Sequence, residues 1–178
     1  MKILILGAGG TGGYFGGRLH QAGADVTFLV REKRALQIAA LGLIIESTKD
    51  KVTLPVRTVQ AGSVKPEYDV VILSCKAYDL DSSMEAIAPA MAPHTCVVPL
   101  LNGISHLDAL DARFGRARVM GGTCQIAATL TKDGVVKSMI DAHGITWGAR
   151  EPDQQAMAVR LGEALEGSVV DGKASDNG

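Results

Sequence analysis

Several features that would place this chain in a common class are missing from it. It has no surplus of positive charge, since 18 Lys and Arg against 19 Asp and Glu leave a net charge of −1. A general grip on nucleic acid or on an anionic membrane surface needs clustered cations, so neither partner is expected, and any phosphate must be held locally. Cysteine is scarce and unmatched. Cys75, Cys96 and Cys124 are widely spaced, each within an apolar stretch, which suits reduced thiols in a cytoplasmic protein and argues against a disulfide framework or a metal site. Long apolar runs are missing too: residues 3–6 are too short a run for a secretory leader core or a membrane span. No internal repeat or low-complexity tract is present.

What remains is the balance of a globular domain, with 47% hydrophobic and 21% charged residues over 178 positions, enough for one domain and a tail. Residues 3–6 form an apolar run closed by glycines, the pattern of a strand covered on both faces. Helix is expected over 11–22, with Tyr14, Phe15 and Leu19 on one face and Gly23 as its stop. A strand over 25–30, a helix over 31–40 and short strand pieces over 43–59 follow. A buried strand at 69–74, a helix over 80–91 ending before Pro93, and a strand at 96–98 come next. From Arg118 the runs shorten (119–130, 135–140 and 145–147), with Asp133-Gly134 as a hairpin turn, which reads as an antiparallel meander on the sheet edge. A helix over 153–165 and an extended piece at 168–171 complete the chain. The alternation predicts an α/β fold of the Rossmann type, doubly wound on a mainly parallel sheet.

The chemistry concentrates in Gly7, Ala8, Gly9, Gly10, Thr11 and Gly12, where a G-x-G-x-x-G pattern falls on Gly7, Gly9 and Gly12. Gly7 permits the turn out of the strand, Gly9 lets a pyrophosphate approach the backbone, and Gly12 lets the helix pack closely. The helix N-terminus then offers free N–H groups and a positive dipole end. Position in a strand–loop–helix unit lifts this above a chance glycine match. Arg31 stands 19 residues after Gly12, at the end of the second strand, where NAD-binding sites place Asp or Glu. A guanidinium there suits a 2′-phosphate and favours NADP(H) over NAD. Lys33 and Arg34 are expected to add positive charge, with Glu32 opposing them.

With Arg31 in view, the chain resembles the ketopantoate reductases (2-dehydropantoate 2-reductases). The resemblance rests on Gly7 to Gly13 with Gly16-Gly17, on Val30-Arg31, on Ser74-Cys75-Lys76-Ala77-Tyr78, on Leu101-Asn102-Gly103-Ile104, and on Gly121-Gly122-Thr123 through Ala128. It implies an N-terminal NADP-binding domain followed by an all-helical domain, and reduction of a small 2-keto acid, ketopantoate, to pantoate with NADPH in the route to pantothenate. It implies that Lys76 reaches the cofactor, that Asn102 meets both cofactor and substrate, and that the backbone at Ala128 approaches the cofactor. It also implies that the proton-donor lysine lies beyond Gly178, so that residues 1–167 form the cofactor domain and 168–178 a linker, with Lys173 an exposed residue of it and Ser175 or Asp176 an N-cap.

Two other readings fit the same residues: a reductase of another keto or imino acid, and a non-catalytic NADPH-binding module. A homodimer formed over the apolar surface that the helical domain would cover is a further expected form.

Overall fold

The computed structural model describes residues 1–141, 143–166, 168 and 171–175. At its centre lies a five-stranded, wholly parallel sheet. Its strands are β1 (Lys2–Leu6), β2 (Asp25–Leu29), β5 (Arg57–Val59), β6 (Val70–Leu73) and β7 (Cys96–Pro99), in the order β5-β2-β1-β6-β7. From β1 the chain first builds outward through β2 to β5, then crosses back to add β6 and β7 on the other side. The order therefore reverses between β1 and β6, and the crevice beyond the carboxyl ends of these two strands is the switch point where such folds bind ligands.

Both faces are covered, which explains the unbroken apolar strands. Ile3, Ile5, Val26, Phe28 and Ile72 pack on one face with Tyr14, Phe15 and Leu19 of α1 (Gly10–Gln21) and Met157, Ala158 and Leu161 of α5 (Gln155–Leu165). Leu4, Leu29, Val71 and Val97 pack on the other with Met84 and Ile87 of α3 (Leu80–Ile87) and Leu110 of α4 (Ser105–Phe114). The helix α2 (Glu32–Leu41) joins the first cluster through Ile38.

Five glycines in α1 cost about 1 kcal/mol each relative to alanine in a helix. The helix forms because they let it lie directly on its neighbours: a Cβ at Gly16 would come within 2.7 Å of the Phe28 ring, and one at Gly13 within 2.7 Å of Val136. Burial of the apolar face outweighs the weak propensity.

The doubly wound sheet and the antiparallel pairing expected after Arg118 are both present, but that pairing divides between two small sheets. One has the order β4-β3-β10-β9, built from β3 (Leu43–Glu46), β4 (Lys51–Leu54), β9 (Ala128–Leu130) and β10 (Val135–Ser138). Its β9–β10 hairpin turns at Gly134, whose φ is +86°, and β10 pairs in parallel with β3. The other has the order β12-β11-β8, with β8 (Gly121–Gln125) antiparallel to β11 (Gly144–Gly148). Local strand pattern shows which face is apolar but not which edge a strand will find.

Two further differences are plain. α4 occupies a stretch to which the sequence reading assigns no element, although Leu107, Leu110 and Phe114 have helical spacing. Residues 171–175, inside the stretch expected as a linker, form β12 (Asp171–Ser175), which pairs in parallel with β11 and places Lys173 opposite Thr146. Of the extended piece expected at 168–171, residues 169 and 170 lie outside the described residues, as does the N-cap candidate Asp176. Among the described residues no helix is long and apolar enough to cross a membrane.

Candidate functional site

The carboxyl ends of β1, β2, β6 and β7 each carry a residue singled out from the sequence. The glycine loop follows β1, Arg31 follows β2, Lys76 follows β6 and Asn102 follows β7. The parallel register brings all four to one edge of the sheet. The backbone ties their loops together: Gly7 N–H donates to the Leu29 carbonyl (2.8 Å), Val30 N–H to Val59 (3.0 Å) and Leu100 N–H to Leu73 (2.8 Å).

The glycines of the loop sit in different surroundings. Gly7 has φ +84°, a conformation that side chains with a Cβ rarely adopt. Gly9 has nothing within 4 Å of where a Cβ would stand, so its surface is open to a bound group. A Cβ at Gly12 would lie 2.5 Å from the Gly7 carbonyl oxygen, which leaves no room for one. Gly9 is the N-cap of α1 and has no side chain to satisfy the first turn, and that turn contains no acidic residue. The first amides of a helix have no partner within it, so those of Gly10, Thr11 and Gly12 present a positive end with no protein acid to neutralise it. These residues fit a diphosphate.

Ala128 joins the site from β9. A Cβ at Gly10 would meet the Ala128 carbonyl oxygen at 2.5 Å, so the hairpin backbone lies against the start of α1. Ala8 itself is buried, 3% exposed, beneath the loop.

The cations at the edge have no acid partner among the described residues. Arg31 is exposed at the N-cap of α2 and takes part in no ion pair among the described residues. Lys76 is exposed, with its ammonium 5.9 Å from the centre of the Tyr78 ring. Arg34, expected to add charge beside Arg31, instead turns inward. Its Nε donates to the Ala8 carbonyl (3.0 Å), and its Nη1 donates to the Gly134 carbonyl (3.0 Å) and to Gln37 Oε1 (2.5 Å). Ser74 locks the switch point, its hydroxyl donating to the Leu6 carbonyl at 2.8 Å. Neither Arg34 nor Ser74 is identified with these contacts from the sequence. A hydroxyl placed just after a buried strand and a cation one turn into α2 were the available signals, but their partners are distant in the chain.

Asn102 is exposed beside Gly103, whose φ is +78°. Beyond Gly103 a cleft of about 280 Å³ opens between the start of α4 and the β8–β11 pair, bordered by Ile104, His106, Leu107, Thr123 and Thr146. His106 is 5% exposed, and burial, with Arg150 nearby, lowers its pKa, so the ring is neutral at pH 7. Burial also raises the Cys75 thiol, so it is protonated at neutral pH.

An uncapped glycine-loop helix at the switch point of a doubly wound parallel sheet defines a Rossmann-type domain. The family model described as ketopantoate reductase PanE/ApbA matches residues 3–152. The chain belongs to that family, whose chemistry is oxidoreduction. It is 39% identical over 167 residues to the uncharacterized oxidoreductase YkpB of Bacillus subtilis, covering 94% of this chain and 55% of that protein. It superposes on a crystal structure of 2-dehydropantoate 2-reductase from Geobacter metallireducens with a TM-score of 0.88 and 28% identity, covering 99% of this chain and 58% of that one. It superposes as well on D-mandelate dehydrogenase solved with NADH and anilino(oxo)acetate, with a TM-score of 0.87 and 29% identity, covering 99% and 57%. The chain thus spans a little over half the length of each of these three proteins.

Proposed function

We propose that this chain is the cofactor-binding half of an NADPH-dependent reductase that converts 2-dehydropantoate to (R)-pantoate, a cytoplasmic step towards pantothenate. The observation that carries the reading is the cluster at one sheet edge: an open, uncapped helix N-terminus flanked by Arg31 and Lys76, none of them paired with an acid among the described residues.

In this reading the amides of Gly10, Thr11 and Gly12 hold the diphosphate, and Arg31 pairs with the 2′-phosphate as a planar fork. Lys76 and Asn102 position the far half of the cofactor, and the Ala128 backbone borders it. Bound nicotinamide supplies the hydride. The substrate's keto group lies between Asn102 and the cleft that starts at Gly103, where the Asn102 amide orients a substrate oxygen and neutral His106 adds no charge. The proton for the new alkoxide comes from a lysine outside residues 1–178, with 1–167 forming most of the cofactor domain and β12 (171–175) adding a last strand along β11.

A second reading has one observation in its favour. The likeness to D-mandelate dehydrogenase solved with NADH supports NADH as cofactor and a different keto acid as substrate. Titration of the chain with NADPH and NADH separates the two. Tighter NADPH binding, lost by at least tenfold in Arg31→Ala, supports the first reading, because a charge-assisted fork is worth about 1.5–3 kcal/mol. Equal affinities for the two cofactors overturn it. Turnover of a keto-acid panel by the enzyme with its second half present decides the substrate.

A further inference from the structure

Arg34 is an unusual cation for its position. Its guanidinium is half-buried and makes three hydrogen bonds, all to neutral oxygens: Ala8 O, Gly134 O and Gln37 Oε1. Its Nη2 is buried with no partner, and the arginine forms no ion pair among the described residues. Burial alone lowers its pKa, with no carboxylate offsetting that effect. An uncompensated charge inside a protein costs several kcal/mol, and a fold normally supplies an acid to relieve it. Nineteen acids are present in this chain, yet none among the described residues pairs with Arg34.

The three oxygens belong to separate pieces of the site. Ala8 lies within the phosphate loop, Gln37 is one turn further along α2, and Gly134 closes the hairpin whose first strand presents Ala128 to Gly10. The turn packs on the end of the Gln37 side chain. Gly134 has φ +86°, and a Cβ there would collide with the Gln37 side chain.

We propose that Arg34 is a positioning residue of the dinucleotide site, clamping the glycine loop to the β9–β10 turn and holding in reserve a charge that the cofactor's diphosphate neutralises. The inference rests on the cofactor reading above and goes beyond it. Arg31 serves the 2′-phosphate alone, whereas Arg34 serves the diphosphate common to NADPH and NADH and so acts on both.

The test is calorimetric titration of the whole chain with NADPH and with NADH at low and high salt, for the wild type, Arg34→Gln and Arg34→Lys, with a thermal melt of each to confirm folding. Arg34→Gln is expected to weaken both cofactors alike, by about tenfold, the size of one lost charge-assisted contact, and to flatten the salt dependence of binding. Arg34→Lys keeps the charge but cannot grip Ala8 and Gly134 together, so it retains the salt dependence and loses about threefold. A purely structural brace would weaken binding in both variants and leave the salt dependence of both as in the wild type, and that result overturns the proposal. Wild-type affinity in Arg34→Gln, or in Arg34→Lys should the glutamine variant fail to fold, overturns it as well. A wild-type chain that binds neither cofactor overturns the functional reading and this inference together, whereas a wild-type chain that binds while the variants bind equally well overturns this inference alone.

Discussion

Arg18, Arg34 and Arg150 all carry charge into the protein, but in different company. Arg18, 3% exposed, makes a bidentate pair with Asp50 (2.8 and 2.5 Å) that fastens α1 to the turn between β3 and β4. Arg150 does the same with Asp111 (2.7 and 2.8 Å), fastening α4 to the segment after β11. In both, hydrogen bonding to the carboxylate raises the arginine pKa, whereas burial lowers that of Arg34. In these two pairs an arginine that fastens the fold is accompanied by an acid, whereas Arg118 donates to the Thr95 and Ala92 carbonyls without one. Beside the glycine loop no acid among the described residues pairs with Arg34, and the first turn of α1 also lacks one, although Asp or Glu there would add about 0.3–1 kcal/mol to the helix. An acid in the first turn of α1 would compete with an anionic ligand, so its absence there belongs to the site as much as the cations do, and the acid at this edge, Glu32, stands in the first turn of α2.

The comparison breaks most severely at Asp111. Asp111→Ala leaves Arg150, 7% exposed at its side chain, as an uncompensated charge, and we expect a loss of about 3 kcal/mol in urea unfolding. Dinucleotide affinity of the folded chain should change less than twofold, because the pair lies on the other side of the sheet from α1. A stability loss under about 1 kcal/mol would show that this pair is no more than a surface contact.

Glycine substitutions sharpen the contrast within the loop. At Gly12 a Cβ would press on the Gly7 carbonyl at 2.5 Å and on Ile5 at 3.2 Å, so Gly12→Ala should cost about 1–3 kcal/mol by overpacking and weaken the cofactor as well. Gly9 has open space and a negative φ of −84°. Gly9→Ala should therefore leave stability within about 0.5 kcal/mol while its methyl stands where the diphosphate approaches. Parallel melts and titrations check both, and equal losses in the two variants would refute the division of roles.

Much of this edge was legible in the sequence because it depends on local rules. The run Ile3 to Leu6 followed by Gly7, Gly9 and Gly12 announces strand, turn and helix in order, and Arg31 marks the end of the next strand by counting. What escaped depends on contacts distant in the chain. Arg34 reads as one more surface cation until Gly134, a hundred residues on, is seen to accept from it. β10 looks like a meander strand, and only the parallel pairing with β3 shows that it leaves the main sheet. The helix α4 was missed for another reason: Ser105 to Phe114 follows a Gly103 turn and mixes His, Asp and Arg into its apolar spacing, which masks the period.

The smallest effect concerns acid. Hydrogen bonding from Arg18 holds Asp50 down to about 2 against an ordinary value of 3.8. Above 3.8 the carboxylate is charged in folded and unfolded chains alike, and the pair contributes in full. As pH falls below 3.8 the unfolded chain takes up a proton first, so the contribution drains away until about 2, where the folded carboxyl protonates too. A fully shielded carboxyl lowered this far would be worth roughly 2 kcal/mol. Asp50 is 39% exposed at its side chain, and solvent screening reduces this to about 1 kcal/mol. The stability difference between the wild type and Asp50→Asn should therefore shrink by that amount between pH 5 and pH 2, measured by urea unfolding. Arg34→Gln should show no such trend, because no carboxylate accompanies Arg34, and a matching acid dependence there would reveal an acid partner and erase the contrast between the two arginines.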